Sequence, residues 1–218
     1  MSAAESAFDF LRPVPPDGYA WWYLDALSDD GEYGMVVIAF IGSVFSPYYA
    51  HARRRGPANA EHYCAVNVAL THRRHQRWAM TERPAARLAR ATSILAIGRS
   101  ALTRTDDGLQ IDIDEVCAPL PFRLRGRVRV TDFHALQTPY ALDSRAEHLW
   151  QPIAPSARVS VDLQQPGVRW SGHAYLDTNR GAVPLERSFH GWHWSRTRLP
   201  DGRSRLLSAG AVDHEGAL

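Results

Sequence analysis

Apolar and polar side chains that alternate every second residue constrain this chain more than any other feature. In residues 109–116, Leu109, Ile111 and Ile113 alternate with Gln110, Asp112 and Asp114. In residues 123–130, Leu124, Gly126, Val128 and Val130 alternate with four arginines; in 157–163, Val159, Val161 and Leu163 alternate with Arg158, Ser160 and Asp162. A β-strand sends successive side chains to opposite faces, so each run reads as a strand with one apolar and one polar face. Turn-forming clusters separate such runs, among them Pro15-Pro16-Asp17-Gly18, Asp29-Asp30-Gly31, Asp106-Asp107-Gly108 and Gln165-Pro166-Gly167. Many short strands at regular spacing predict an all-β protein, an antiparallel barrel or sandwich. Two segments break the pattern. Residues 83–91 are rich in Ala and Arg, with Pro84 placed to start a short helix. Residues 137–145 have no period, and Pro139 removes a backbone donor. They read as a linker dividing the chain into residues 1–140 and a second unit, 141–218.

Composition excludes several function classes. The formal net charge of +2 over 218 residues is too small to imply a nucleic-acid partner, although all 25 basic residues are Arg. Cys64 and Cys117 stand alone, with neither disulfide-framework nor zinc-site spacing, and are expected to be buried thiols in a reducing compartment. The N-terminal residues show no basic, apolar leader pattern, and the longest apolar run, residues 35–41, is too short to span a bilayer. No phosphate-binding loop, dinucleotide fingerprint, nucleophile elbow or HExxH is present. Nothing in these patterns indicates a nucleotide or a covalent nucleophile.

Chemistry-bearing residues gather in three places. Taken as a strand, residues 169–177 put Trp170, Gly172, Ala174 and Leu176 on one face and Arg169, Ser171, His173, Tyr175 and Asp177 on the other. That polar face is either a solvated sheet surface or the wall of a cavity in which a phenol and an acid stand two residues apart. His148 and Trp150 are also two apart and share a side of any extended chain. The string Phe189-His190-Gly191-Trp192-His193-Trp194 is dense in His and Trp; its two histidines, at i and i+3, share a face most naturally on a helix, and no third ligand in a recognisable spacing accompanies them. Near the N-terminus, Trp21, Trp22, Tyr23, Phe45 and Tyr48 belong to an aromatic-rich stretch that supplies core, an elongated apolar pocket, or both.

Several long strings, in order, carry a resemblance. G-Y-A-W-W-Y-L-D-A-L-S-D-D-G, I-A-F-I-G-S-V-F-S-P-Y-Y-A, R-W-A-M-T-E-R, I-D-I-D-E-V, R-L-R-G-R-V-R and R-W-S-G-H-A-Y-L-D-T-N closely resemble the carotenoid 1,2-hydratase (hydroxyneurosporene synthase) family, from about Gly18 to about Arg198. The resemblance implies a lipocalin-like all-β architecture with two barrel or sandwich halves. It implies cofactor-free addition of water to the terminal double bond of an acyclic carotenoid such as neurosporene or lycopene, in photosynthetic bacteria. It implies one active-site cluster of His148, Trp150, Tyr175 and Asp177, with the aspartate as proton donor, and substrate contacts from Trp21, Trp22, Tyr23, Phe45, Tyr48 and His173. Family members run on beyond this length, and the tail from Leu207 does not read as the expected strand, so the second half is expected to be incomplete. A membrane-dissolved substrate further implies a cytoplasmic protein in transient contact with the inner or photosynthetic membrane. A non-catalytic lipid or pigment binder, and a cyclase or pericyclase, stand as alternatives on the same fold.

Overall fold

Alternation becomes strand almost wherever the sequence carries it. The protein is described by a computed structural model covering residues 8–74, 76–133, 135–136, 138–198 and 204–211. The first part contributes β1 (Tyr19–Ser28), β2 (Tyr33–Ile41), helix α1 (Pro47–Arg53), β3 (Cys64–His72) and β4 (Gln76–Arg83). Four strands follow in quick succession: β5 (Leu88–Ala91), β6 (Ile94–Ile97), β7 (Ser100–Thr105) and β8 (Gly108–Val116). Then come β9 (Arg123–Thr131), β10 (Tyr140–Ala141), the long β11 (His148–Gln165) and β12 (Val168–Gly181), and finally β13 (Gly191–Arg198) and β14 (Ser204–Ala211).

All pairings are antiparallel. One sheet runs β4-β3-β2-β1-β12-β11-β9-β8-β7-β6-β5, with β10 beside β11, and β13 and β14 form a separate two-stranded sheet. The large sheet curls into a nearly closed barrel. Where β4 comes round to the end of β8, the Ala118 N–H donates to the Trp78 carbonyl at 3.0 Å, and Arg83 meets Glu115. Strands from both sides of residue 140 share this sheet, because β11 and β12 insert between β9 and β1.

The barrel interior is packed with the alternating apolar residues read from the sequence. Trp22 and Leu24 of β1, Leu109, Ile111 and Ile113 of β8, Val128 and Val130 of β9, Val159 and Val161 of β11, and Ala174 and Leu176 of β12 are all buried in one cluster. Burying each large aliphatic or aromatic side chain contributes about 1.5–3 kcal/mol, which makes this cluster the main source of stability. Cys64 and Cys117 are buried free thiols, as expected.

Three local expectations are corrected. Residues 83–91 form no α-helix: β4 ends at Arg83, one 3-10 turn spans Ala85–Arg87, and β5 follows. Leu88 and the Ala and Arg residues after it pair with β6, so tertiary pairing overrides helix propensity. His190 and His193 do not sit on a helix, because β13 begins at Gly191. The tail is not a break in the strand pattern either: Leu207 to Ala211 lie in β14, paired with β13 in continuous register. Residues 212–218 lie outside the described residues.

Candidate active site

The polar face of β12 is neither simply wet nor inside the barrel. Leu176 and Ala174 fill the interior, so Tyr175 and Asp177 point to the outside of the barrel wall. They are nevertheless buried, Asp177 to 3% exposure, because later chain covers them. β13 lies across this face. The Trp194 ring packs 5.2 Å from Tyr175 and 5.3 Å from Tyr23, and Arg196 clamps Asp25 through both carboxylate oxygens. Farther along β12 the cover ends: Arg169 and Ser171 are exposed.

Register explains which side chains meet. On β12, Asp177 is opposite Tyr23 of β1 and Pro152 of β11, while Asn179 is opposite Trp21 and Trp150. The odd-numbered residues of β1 and β12 and the even-numbered His148 and Trp150 of β11 therefore share one outer face. The register of β11 shifts between Pro152 and Ala157, beside Asp177. Such an irregularity bends a strand and re-aims its side chains.

Asp177 is surrounded by neutral donors. Its Oδ2 accepts from the Tyr175 hydroxyl at 2.7 Å and from the Trp150 indole N–H at 2.9 Å; its Oδ1 accepts from the Asn179 amide at 3.3 Å. Burial disfavours the charged carboxylate and pushes its pKa up to about 7, against the pull of these hydrogen bonds, with Asp25 adding a smaller push. The Tyr175 phenol is also driven well above its ordinary value, first by burial and then by Asp177, so it remains a donor. Asp25 is raised by burial, with Arg196 opposing.

His148 belongs to the same face but does not touch Asp177. Its Nδ1 pairs with the Tyr19 hydroxyl at 2.8 Å and its Nε2 with the Ser188 hydroxyl at 2.8 Å. Burial lowers its pKa, keeping the ring neutral near pH 7. Gly181, opposite both Tyr19 and His148, makes this pair possible: a Cβ there would lie 2.3 Å from the Tyr19 ring and 2.8 Å from His148 Nδ1.

An apolar cleft of about 440 Å³ opens beside Asp177. Its floor comes from Trp21 and Tyr23 of β1 and Ile38 and Phe40 of β2; its cover comes from Phe45, Phe189, Trp192 and Trp194. α1 fixes Phe45. Ser46 caps the helix by accepting from the Tyr49 N–H at 3.0 Å, and the buried Tyr49 donates its hydroxyl to the Gly18 carbonyl at 2.7 Å. Arg53 then ties the helix to Glu186, on the short 3-10 turn Leu185–Arg187, at 2.6 Å.

Among the residues singled out from sequence, Asp177, Tyr175, Trp150, Trp21, Tyr23 and Phe45 come together at this cleft. Trp22 does not: alternation turns it into the barrel interior, where it packs against Phe10 at 5.0 Å. Tyr48 projects from α1 at 71% exposure, away from the cleft lining. His173 faces the open end of β12, beside Asp29 at 3.3 Å and Arg158 at 3.2 Å. Asn179 was missed, although it is the next same-face position after Tyr175 and Asp177. The Phe189–Trp194 string was noticed for its composition, but its role as cover could not be read from its spacing. Among the described residues no three of His, Cys, Asp and Glu gather as a metal-ligand set, and no helix is long and apolar enough to cross a membrane.

A curled antiparallel sheet with a buried acid on its outer wall defines a lipocalin-like barrel class, and solved structures share the fold. A putative AttH from Nitrosomonas europaea superposes with a TM-score of 0.57 at 17% identity, over 91% of this chain and 62% of that one. CghA, solved with Sch210972, gives 0.55 at 12% identity, over 91% and 58%. The chain belongs to the carotenoid hydratase CrtC family, whose model matches residues 37–217. It is 50% identical over 204 residues to the acyclic carotenoid 1,2-hydratase of Thiocapsa roseopersicina, covering 94% of this chain and 50% of that protein. To the acyclic carotenoid 1,2-hydratase of Rubrivivax gelatinosus it is 47% identical over 202 residues, covering 91% and 49%. The chain thus spans about half the length of these curated relatives.

Proposed function

We propose that this chain supplies the acid site of a hydratase that adds water across the terminal C1=C2 double bond of an acyclic carotenoid such as neurosporene or lycopene. The observation that carries this reading is Asp177: a carboxyl group buried among neutral donors, with its pKa raised to about 7, beside an apolar cleft. Hydrating a trisubstituted alkene begins with a proton on the less substituted carbon, and only a carboxyl group that still holds its proton can deliver it. Asp177 protonates C2, leaving the charge on tertiary C1. Water attacks C1 and returns a proton to the Asp177 carboxylate, so the cycle balances without a further group.

The aromatic rings around Asp177 serve the cation. Trp150, Tyr175, Tyr23 and Trp194 present π systems close to the reacting end, each worth about 0.5–2 kcal/mol toward a desolvated cation. His148 holds the wall of the cleft through Tyr19 and Ser188, with the Phe189 ring 5.0 Å away. A cleft of about 440 Å³ suits one end of a long polyene. Exposed Phe45 at the cleft, with Tyr48, Arg54 and Arg55 nearby, supports transient contact with the cytoplasmic surface of the inner or photosynthetic membrane.

The test is incubation of the purified chain with lycopene or neurosporene in detergent micelles, read by mass. Gain of one water is the expected result, and carotenoid retained at unchanged mass would instead make the protein a pigment binder. Because the protonated carboxyl is the active form, the rate should be flat below about pH 6 and fall tenfold per unit well above pH 7.

A further inference from the structure

We infer that the two oxygens of Asp177 have different jobs: Oδ1 carries and delivers the proton, and Asn179 is a further site residue that holds Oδ1 once the proton has gone. The inference rests on the acid role proposed above. Its ground is the unequal company of the two oxygens. Oδ2 receives two donors, the Tyr175 hydroxyl at 2.7 Å and the Trp150 indole at 2.9 Å. A carboxyl oxygen has two lone-pair sites in its plane, and an indole N–H can only donate. A proton on Oδ2 would therefore have to take the Tyr175 position and force that hydroxyl to turn from donor to acceptor. Oδ1 has one longer contact, to Asn179 at 3.3 Å, which leaves it room for the proton.

Asn179 is built for both protonation states. Its side chain is buried to 4% exposure, it lines the same cleft, and among the described residues its own Oδ1 has no hydrogen-bond partner. An unpaired buried amide oxygen is costly. An amide can donate through its nitrogen to a carboxylate or, turned over, accept through its oxygen from a carboxylic acid. Asn179 thus answers a charged Asp177 with its N–H and a protonated Asp177 with its carbonyl, which uses the atom otherwise left unpaired. No other hydrogen bond from a described side chain reaches Asp177 Oδ1. The titratable and charged groups around the site are Tyr175 on β12, Tyr23 and Asp25 on β1, and Arg196 on β13, with His148 on β11 and Glu186 and His190 at the cleft.

Infrared titration of the full chain tests this without substrate, so its outcome is independent of whether water addition is observed. The protonated-carboxyl C=O band that is missing from Asp177→Asn belongs to Asp177. With the proton on Oδ1, the carbonyl is C=Oδ2 and accepts from Tyr175 and Trp150. Tyr175→Phe should then move the band to higher wavenumber, whereas Asn179→Leu should leave it nearly in place. The reverse pattern puts the proton on Oδ2 and overturns the assignment, as does the lack of any Asp177 band at every pH. In Asn179→Leu the titration midpoint should rise by about one unit through loss of a donor to the carboxylate. Where water addition is observed, its fall with rising pH should move up by the same amount and its maximal rate should drop about tenfold. An unchanged midpoint removes Asn179 from the site. Asn179→Ala is read the same way and covers the case in which the branched side chain does not fit. The expected infrared shifts together with no water gained from any carotenoid would sink the hydratase reading and leave this assignment standing.

Discussion

Glu115 on β8 and Asp177 on β12 are both carboxylates sealed from solvent, at 1% and 3% exposure. They differ in company. Glu115 accepts from the Ser100 hydroxyl at 2.7 Å and meets the Arg83 guanidinium at 3.2 Å, at the seam where β4 approaches β8. Asp177 has hydrogen-bond donors but, among the described residues, no cation bonded to it. Burial raises both pKa values; at Glu115 the Ser100 hydrogen bond and then the Arg83 cation oppose the rise. One acid is paired with a cation at the seam of a barrel; the other has only neutral donors, and on the proposed reading it has a proton to give. If Asp177 is the reactive acid proposed above, what separates it from the structural Glu115 is the charge state of its donors, not the depth of its burial.

The largest expected effect falls on Asp177. Asp177→Asn should cut water addition by about a thousandfold, measured as hydrated product by mass. Retained turnover at near wild-type rate would mean that the contrast with Glu115 has no chemical consequence.

The same variant should be more stable than wild type at high pH. Asp177 has a folded pKa near 7 against about 3.9 unfolded, so the folded state binds its proton more tightly. Wild-type stability should therefore fall as pH rises from about 4 to 7, a loss the asparagine does not share. The gain in Asp177→Asn should be on the order of 3 kcal/mol at pH 8 and vanish near pH 4, measured by urea unfolding across pH. A gain that does not change with pH would contradict the raised pKa.

Arg83→Met should act in the opposite sense. It leaves Glu115 buried without its cation and should cost about 2 kcal/mol at pH 8, since Arg83 is itself partly exposed. The loss should shrink in acid, where Glu115 takes up a proton. The smallest effect is the most discriminating: Glu115→Gln, which keeps the shape and the Ser100 contact, should leave turnover within about twofold of wild type. A large loss of turnover there would tie the seam to the chemistry.

Much of the barrel was legible because alternation is a local signal. The interior residues of β8, β9, β11 and β12 are the ones that the two-residue period selects. The helix expected over 83–91 failed because pairing with β6 is a long-range gain that local Ala and Arg content does not report. The site was legible only in part. The face carrying Tyr175 and Asp177 has the alternation of a solvated surface, and its burial depends on β13 arriving from elsewhere in the chain. Asn179 escaped notice because alternation stops at Asp177: Thr178 is polar too, and spends its hydroxyl on the Trp21 carbonyl at 2.9 Å. Trp22 was grouped with its neighbours by composition, while the strand period sends it the other way.

The acid stands on the outer wall of a barrel whose interior is already full. On the proposed reading, a long substrate has no need to enter that packed interior. A rigid rod can offer its tip from the side while the rest stays dissolved in the phase it came from. On the proposed reading, the protein would work as a reader of ends, indifferent to how much molecule lies behind them. Its selectivity should follow the few atoms nearest the terminus, with distant changes in the polyene altering how readily the rod is presented and leaving the reaction itself untouched.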